Sequence, residues 1–412
     1  MKFKYILLIL FIISLFNSCD KNNISKKEEV KSAKLVFVGD IMTHPNIVKS
    51  FENKDILFDL KDYLKGDIVF ANLEFTVDTN KSPMPYPEFN GSIEYLRYFF
   101  NYFNLFSVAN NHAYDQGAQA EAETIAEIER NNKLIIGGST NSKDIKPLIT
   151  NINNIPIFLS AYTMLDNGIS YRSNENGYFY FMNFFPKKED LIEKIKDDLK
   201  LATNNELKII SLHFGLEYTT KPEEKTIEIA RDLIENGVDI IIGHHPHVPR
   251  YSEIYEGTNH KGIIIYSLGN FIANHKGRFP YLDIGTILSL EIKENKEINF
   301  EFMPTYYAFF YKNKLSKNDF DFIIKPIKEN PDIEMPKLKT NYIYSNYDTN
   351  GHKTGESRPG IFGGMNHYDS HGHKTGSTRP GILGGANHYD DKGHKTGHSN
   401  PGILGGWNHY DD

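Results

Sequence analysis

The feature that most constrains the fold is a long alternation of short apolar runs with amphipathic segments between residues 34 and 311. The apolar runs are three to five residues long and lie at 35–38, 67–71, 106–109, 134–136, 157–159, 208–212, 239–242 and 262–266. The amphipathic segments lie at 93–102, 118–131, 187–203 and 223–236. Continuous apolar strands that alternate with helices predict an α/β domain whose sheets are covered on both faces. Two further strand patterns, at 285–292 and 298–303, follow without a helix between them and predict an antiparallel addition.

Polar residues follow the predicted strands at the points where the strands end. Those after the early runs are Asp40, Glu74, Asn111 and His112, and those after the later runs are His213, Glu217, His244, His245, His247 and Asn270. Because open α/β sheets place their sites at the carboxyl ends of the strands, we expect these side chains to lie close together. Carboxylates, an amide and several imidazoles form a set of oxygen and nitrogen donors that suits Zn, Mn, Fe or Mg.

Each of these residues, taken alone, has a plainer interpretation. Asp40 could cap the next helix, and Glu74 could be a surface carboxylate. The pair His245 and His247 is more informative, because strand alternation would put both on one side while Pro246 stiffens the turn. The occurrence of these residues at consecutive strand ends is what favours a metal site.

Six motifs carry a resemblance to a known family. They are Gly-Asp-Ile-Met at 39–42, Asn-Leu-Glu at 72–74, Asn-Asn-His-x-x-Asp-x-Gly at 110–117, His-Phe-Gly-x-Glu-Tyr at 213–218, Gly-His-His-Pro-His at 243–247 and Tyr-Ser-Leu-Gly-Asn-Phe at 266–271. In this order they resemble the CapA family of capsule-synthesis, poly-γ-glutamate-associated proteins, which is related to the calcineurin-like metallophosphoesterases. The resemblance covers residues 34–311 and implies a metallophosphoesterase-like sandwich of two β-sheets flanked by helices.

The resemblance also implies a role for each matching residue. It implies a centre for two divalent metal ions (Mn, Fe, Zn or Mg), with Asp40 on the first metal, Glu74 as the bridging carboxylate and Asn111 on the second metal. The remaining implied ligands are His213, His245 and His247. His112 would contact the phosphoryl group or act as the catalytic acid. His244 would orient the loop, and Glu217 and Asn270 would line the mouth of the pocket.

One position departs from the pattern of the phosphoesterases. Those enzymes carry a His two residues after the first Asp, where this chain has Met42. CapA-type sequences generally lack this His as well. His44, two residues further on, is interpreted as a loop residue rather than as a substitute ligand. The sequence therefore leaves open how tightly the first metal binds and whether phosphate esters are hydrolysed.

The N-terminus has the pattern of a secretory leader. Two early lysines precede an apolar run at 5–16, which is too short for a comfortable membrane span. A small residue stands directly before Cys19, as in a bacterial lipobox, so we predict a signal peptide at 1–18, lipidation of Cys19 and a polar tether at 19–33. An uncleaved signal anchor and simple secretion are the alternatives. Because Cys19 is the only Cys, an intrachain disulfide framework and a Cys-based zinc cluster are excluded.

A repeat region follows a linker predicted at 312–345. Residues 346–412 have a 21-residue period, in which His-Lys-Thr-Gly and Asn-His-Tyr-Asp motifs alternate with Pro-Gly and Gly-Gly pairs. Because these units are Gly-rich and poor in aliphatic residues, we predict turns, with short strands at the Gly-Ile-Leu steps. The repeats are interpreted as turn-rich units for surface display or glycan contact. The alternative is weak transition-metal binding by their imidazoles and carboxylates.

The charge balance and the leader narrow the function classes. With 46 Lys+Arg against 53 Asp+Glu, the net charge of −7 argues against nucleic-acid binding. We therefore predict a membrane-anchored lipoprotein on the extracytoplasmic side of the bacterial envelope, with metal-dependent, phosphoesterase-like hydrolase activity. It would act in the biosynthesis, attachment or turnover of a surface polymer (poly-γ-glutamate or an envelope glycan), together with the synthesis and export proteins of that polymer. The rival is a non-enzymatic scaffold or polymer-binding subunit of the export machinery; a cytoplasmic signalling phosphatase conflicts with the leader.

Overall fold

The structure is a computed structural model that describes residues 31–411 with internal gaps. The gaps are at 53, 141–144, 168–181, 204, 275–280, 296, 312–319, 327–337, 341–343, 348–352, 360–364, 370–372, 381–385, 393 and 402–406. The predicted signal peptide, Cys19 and most of the tether therefore lie outside the described residues, as do the Gly-Ile-Leu steps of the repeats.

The helices and strands alternate along the first two thirds of the chain, and strands alone make up the rest of the described elements. The helices are α1 (Pro45–Phe51), α2 (Ile93–Phe99), α3 (Ala118–Arg130), α4 (Lys188–Leu199) and α5 (Glu224–Glu235), with a 3-10 helix at Phe58–Leu60. The strands are β1 (Ser32–Ile41), β2 (Ile68–Leu73), β3 (Leu105–Ser107), β4 (Leu134–Ile136), β5 (Leu148–Ile152), β6 (Ile155–Thr163), β7 (Leu207–His213), β8 (Ile240–His244), β9 (Ser252–Glu256), β10 (Lys261–Ile265), β11 (Asn270–Ile272), β12 (Ile284–Lys293), β13 (Ile298–Tyr311), β14 (Phe320–Pro326), β15 (Leu338–Thr340), β16 (Tyr344–Tyr347), β17 (Lys353–Pro359), β18 (Met365–Asp369), β19 (Lys374–Pro380), β20 (Ala386–Asp390), β21 (Lys395–Pro401) and β22 (Trp407–Asp411).

The first two sheets are mixed and are built around parallel strands. The first has the order β14-β13-β12-β1-β2-β3-β4, with β11 also pairing with β1. Its strands β1 to β4 run parallel, whereas β12, β13 and β14 add antiparallel strands beside β1. The second has the order β15-β9-β10-β8-β7-β6-β5, and β6, β7, β8 and β10 run parallel in it. The antiparallel addition predicted from the sequence is therefore confirmed as β12 and β13.

Three apolar clusters join the two sheets and the helices into layers. Phe37 of the first sheet and Ile209 of the second lie in a cluster between the sheets. Leu96 of α2 and Ile125 of α3 lie in a cluster on the other face of the first sheet. Leu233 of α5 lies in the cluster that covers the outer face of the second sheet. The chain is thus a mixed α/β protein in which two sheets pack face to face and helices cover them, as the continuous apolar runs predicted.

The helix boundaries follow from local sequence. At the start of α2, the Ser92 hydroxyl accepts a hydrogen bond from the Tyr95 N–H at 3.1 Å, which satisfies one of the free N–H groups of the first turn. In α5, the apolar residues Ile229 and Leu233 are buried and stand four residues apart, so they lie on one face of the helix.

The parallel strands of both sheets end at the same edge, and this edge carries the polar residues. Asp40 of β1 pairs in register with Asn270 of β11, and His213 of β7 pairs with His244 of β8. The approach of β11 to β1 needs glycine: a Cβ on Gly39 would lie 1.8 Å from the carbonyl oxygen of Gly269. That same oxygen accepts a hydrogen bond from the Asp40 N–H at 3.0 Å, so the close approach fixes the backbone of Asp40.

The segment predicted as a linker, 312–345, contributes strands to the sheets where it is described. Strand β14 pairs antiparallel with β13 from Thr305↔Pro326 to Tyr311↔Phe320, so it extends the first sheet. Strand β15 pairs parallel with β9 and forms an edge of the second sheet. These described parts of the predicted linker therefore belong to the first two sheets. Strand β14 pairs with the strand directly before it, whereas the partner of β15 is distant in sequence.

A third sheet is formed by the strands β16 to β22, which pair antiparallel in chain order. Its hairpins repeat their geometry, since the Asp369 N–H donates to the His373 carbonyl and the Asp390 N–H to the His394 carbonyl, both at 2.9 Å. In return, the Asp369 and Asp390 carboxylates accept from the N–H groups of His373 and His394 at 2.9 and 2.8 Å. The Asp and His of the repeat motifs therefore close hairpin turns.

Within the described part of the chain, no helix has the length and apolarity that a membrane span requires.

Candidate metal centre

Three overlapping groups of His, Asp and Glu converge between the two sheets at the carboxyl ends of their parallel strands. The first is Glu74, His213 and His245, the second is Asp40, Glu74 and His247, and the third is Glu217, His245 and His247. In each group the donor atoms lie within 4.8 Å of one another, which is close enough for one cation to be bound by all three. Glu74 belongs to two groups, so its carboxylate can bridge two cations.

Asn111 joins the first of these groups. Its Oδ1 lies 2.7 Å from His213 Nε2, and the same nitrogen lies 3.8 Å from Glu74 Oε1. The His213 and His245 rings are neighbours, with centroids 4.9 Å apart. An amide oxygen, a carboxylate and two imidazoles thus face one point, and a cation bound there would replace the proton that His213 Nε2 donates to Asn111 Oδ1.

Asp40 is held by several donors. Its Oδ1 lies 3.0 Å from His244 Nδ1 and accepts from Asn72 Nδ2 at 2.9 Å, and its Oδ2 accepts from the His245 N–H at 3.2 Å. Burial by itself would raise the pKa of Asp40, but hydrogen bonds with His244 and His247 bring this pKa well below its ordinary value. Asp40 is therefore a fixed, ionised carboxylate.

The buried environment of Glu74 is the strongest evidence that these residues can bind a cation. The residue is fully buried, yet within the described residues neither of its carboxylate oxygens has a hydrogen-bond partner. Burial raises the pKa of Glu74 well above its ordinary value, and the negative charges of Asp40 and Glu217 raise it further. A buried carboxylate without donors is costly, and a divalent cation would satisfy both of its oxygens.

Two imidazoles of the donor groups, His213 and His245, are in the protonation state that binds metals. Burial lowers the pKa of His213 well below its ordinary value, and it lowers the pKa of His245 to about 3 with help from His247. Both rings are therefore neutral near pH 7, and neutral imidazole is the form that coordinates cations.

His245 and His247 reach the site by a route other than strand alternation. Strand β8 ends at His244, and the next residues form a loop in which His245 has φ 93° and His247 has φ 59°. The strand alternation predicted for His245 and His247 is therefore wrong, because both residues lie in the loop after β8. Two non-Gly residues in the left-handed region are strained, and such strain is typical of functional sites.

His112 lies beside the metal-binding groups and is held by its own turn. Its Nδ1 lies 2.7 Å from Asp115 Oδ2, and this oxygen also accepts from the Phe89 N–H at 2.6 Å. The Phe89 ring packs edge-on against His112, with centroids 4.7 Å apart. Because Nδ1 is engaged by the carboxylate, Nε2 is the nitrogen left for a proton transfer.

The three residues expected around the ligands occupy distinct places. His244 is absent from the three donor groups, and it contacts Asp40 instead. Asn270 Oδ1 lies 3.0 Å from His247 Nδ1, which orients that ring. Glu217 is at the rim, with 37% of its side chain exposed and its Oε1 3.8 Å from His247 Nε2.

Met42 and His44 contribute no donor to the described groups. Met42 is buried in the apolar cluster beneath the first sheet, and its carbonyl accepts from the Tyr95 hydroxyl at 3.0 Å. His44 is the residue before α1, and its ring lies 5.2 Å from that of Phe89. Burial, with the nearby His112 and His247, lowers the pKa of His44 to about 4.

Four residues of the site were not singled out by the sequence analysis. Asn72 and Asp115 stand inside two of the quoted motifs, so the motifs themselves held the signal. Asn167 bonds to Asn111 (3.0 Å) from a loop without any motif, and Arg250 binds the loop that carries Glu217. Asn167 and Arg250 are brought to the site only by the folding of the chain.

Comparisons with known proteins show which sequences this chain resembles. Residues 34–275 match the sequence model of a family described as "Bacterial capsule synthesis protein PGA_cap". The chain is 29% identical over 291 residues to the PGA biosynthesis protein CapA of Bacillus subtilis (strain 168), and the alignment covers 65% of this chain and 70% of that protein.

Two further relatives are matched over shorter lengths. The capsule biosynthesis protein CapA of Bacillus anthracis is 29% identical over 228 residues, which are 54% of this chain and 49% of that protein. A "probable polyglutamine synthesis accessory protein" of Mycobacterium tuberculosis is 24% identical over 229 residues, which are 51% of this chain and 57% of that protein. The chain thus spans about half the length of these two relatives. The resemblance read from the six motifs is confirmed, and the chain belongs to the bacterial capsule synthesis protein PGA_cap family.

Proposed function

We propose that this protein is a metal-dependent hydrolase of the phosphoesterase type that acts in making, attaching or turning over a bacterial surface polymer. The observation that carries the proposal is Glu74, a fully buried carboxylate without a hydrogen-bond partner among the described residues, between His213 and His247. Such an arrangement is costly unless a cation is bound. The names of the relatives, which refer to PGA, capsule and polyglutamine synthesis, support the polymer context.

The chain's own residues have separable tasks in this proposal. Two divalent cations, of Mn, Fe, Zn or Mg, would be held by Asp40, Glu74 and His247 and by Glu74, Asn111, His213 and His245. When bound, they would act as Lewis acids on a phosphoryl oxygen and would activate water. His112, oriented by Asp115, would hold or deliver a proton at Nε2.

The rim of the site suits an extended substrate. Leu216 is 59% exposed and Tyr86 is 69% exposed. The Tyr86 ring lies 6.3 Å from the ring of Phe89, which packs against His112, so Tyr86 is close to the site. Exposed aromatic and apolar side chains beside a polar cleft can pack along a polymer chain.

The proposal extends to the parts of the chain around the site. We propose that Cys19 anchors the protein as a lipoprotein on the outer side of the membrane, after removal of residues 1–18. Residues 34–311 would hold the catalytic site, and the Gly-rich repeats at 346–412 would contact the polymer or its export proteins. Nucleic acid is not a partner in this proposal, since the net charge is −7.

The test combines metal analysis, hydrolysis and function in cells. The full chain, purified with Mn²⁺, is assayed on an aryl phosphodiester as wild type, Asp40→Ala, His245→Ala and the control His260→Ala. His260 pairs with Asp239 at 2.8 Å outside the three donor groups, so its variant should keep metal and activity. The proposal fails if the wild type holds no stoichiometric metal and both site variants still restore the polymer in cells that lack the protein.

That failing result would favour the second candidate, a non-enzymatic scaffold or polymer-binding subunit. The observation in its favour is Met42, an apolar and buried side chain at a position where phosphoesterases have a ligand.

A further inference from the structure

Glu217 brings a third carboxylate to the metal-binding groups from a different part of the chain. It lies on the loop after β7, and its carboxylate falls within 4.8 Å of donor atoms of His245 and His247. The side chain is 37% exposed, whereas Asp40 and Glu74 are fully buried. Glu217 therefore approaches the same imidazoles from the solvent side of the site.

The ring of His247 stands between two carboxylates. Its Nε2 lies 3.8 Å from Glu74 Oε1 and 3.8 Å from Glu217 Oε1. Its Nδ1 lies 3.0 Å from Asn270 Oδ1, which fixes the ring orientation and leaves Nε2 facing both acids. Two carboxylate oxygens at equal distance from one imidazole nitrogen are arranged as the ligands of a single cation would be.

The loop that carries Glu217 is fixed to the loop that carries the two imidazoles. The Tyr218 N–H donates to the Pro246 carbonyl at 2.9 Å, and the Tyr218 ring stacks on His247 with centroids 5.8 Å apart. Arg250, which is 1% exposed, donates to the Leu216 carbonyl at 2.7 Å from the other side. Both neighbours of Glu217 are thus held, so the position of Glu217 is built into the fold.

We propose that Glu217 is a direct ligand of the cation bound at His247. Glu217 adds a carboxylate to the imidazoles of His245 and His247, and it reaches them from the solvent side. This inference rests on the proposed metal centre and is independent of phosphoester hydrolysis.

The experiment measures metal binding without any substrate. The full chain is stripped with a chelator and titrated with Mn²⁺ by calorimetry, and bound metal is counted by elemental analysis. Glu217→Gln removes the charge at constant size and should weaken one Mn²⁺ site by at least about tenfold. The matched control is Glu224→Gln, an exposed Glu in the first turn of α5, which should leave Mn²⁺ binding unchanged.

A second variant separates the two sites. His213→Ala should weaken the other site, so the double variant should lose both, and the metal-free Glu217→Gln protein should melt at the wild-type temperature. Mn²⁺ binding by Glu217→Gln that equals wild type overturns the role of Glu217 and leaves the metal centre standing. A wild-type chain that binds no Mn²⁺ overturns both.

Discussion

Asp115 Oδ2 and His112 Nδ1 lie 2.7 Å apart, and both side chains are buried next to the metal-binding groups. The two residues belong to one turn, and the carboxylate fixes the orientation and the tautomer of the ring, while the Phe89 N–H holds the same carboxylate oxygen. His112 is the one imidazole of the cluster with this arrangement among the described residues. This contact with a carboxylate of its own turn distinguishes His112 from the imidazoles that face Glu74.

Asp115→Asn tests whether His112 transfers a proton. An amide would favour the wrong tautomer of the ring, so we expect kcat for an aryl phosphodiester to fall by about ten- to a thousandfold. Bound Mn²⁺ should stay at the wild-type level, since Asp115 is outside the three donor groups. The control is Asp197→Asn on the surface of α4. A loss of metal in Asp115→Asn would instead give Asp115 a structural role.

Glu74→Gln should change stability in opposite directions with and without metal. In chelated protein the variant removes a buried carboxyl group whose ionisation is disfavoured by burial, so we expect the free energy of unfolding near pH 7 to rise by about 1–2 kcal/mol. With Mn²⁺ present, the wild type should gain far more in Tm than the variant. A Tm that falls in both conditions would contradict the cation site.

The matched control for that experiment is Glu253→Gln. Glu253 is also buried, but it accepts hydrogen bonds from Arg231 at 2.6 Å and from the Tyr266 hydroxyl at 2.9 Å. Replacing a satisfied carboxylate leaves a buried donor with a weaker partner, so this variant should be destabilised with or without metal.

Glu121→Gln should flatten the pH dependence of stability. Burial of Glu121 in α3 raises its pKa well above the ordinary value of 4.5. As the pH rises past 4.5, the unfolded chain loses this proton before the folded chain does, so the folded state loses stability toward neutral pH. The variant should match wild type near pH 4 and exceed it near pH 7 in urea denaturation. Exposed Glu129→Gln on the same helix is the control, and equal curves for Glu121→Gln and wild type would refute the prediction.

Ile209→Ala should destabilise the packing between the two sheets. Ile209 is fully buried in the cluster that joins them, so its truncation should lower the free energy of unfolding by about 2–5 kcal/mol. Ile149 on β5 is 42% exposed, and Ile149→Ala should change stability by less than about 0.5 kcal/mol. Equal losses in the two variants would place the main core elsewhere.

Asp390→Ala should loosen one hairpin of the third sheet. The Asp390 carboxylate accepts from the N–H groups of Lys392 and His394 at 3.0 and 2.8 Å, and the variant removes both bonds. We expect faster amide exchange at His394, while the equivalent amide of His373 keeps its rate. Unchanged exchange at His394 would show that the backbone ladder alone holds the turn.

The parts of the fold that could be predicted from the sequence are those set by local pattern. Apolar runs and their polar ends predicted the parallel strands, and the parallel arrangement brings Asp40, His213 and Asn270 to one edge. The helix boundaries at Ile93 and Ala118 were also predictable, because amphipathic spacing is a local property.

The rest depends on contacts between distant parts of the chain. The left-handed backbone of His245 and His247 has no signal in their residue types, since it is imposed by the loop after β8. Strand β14 did carry a sequence signal, because the apolar residues Phe320, Phe322 and Ile324 stand at every second position. Its pairing with β13 is seen only in the folded sheet. The strands of the repeats have few apolar residues and no apolar alternation, so hydrophobic periodicity could not identify them.

The third sheet pairs its strands in chain order, and one 21-residue unit contributes two neighbouring strands. Loss or gain of a whole unit would therefore leave the register of the remaining hairpins unchanged. Because neighbouring strands lie about 4.8 Å apart, each unit changes the width of the sheet by about 10 Å.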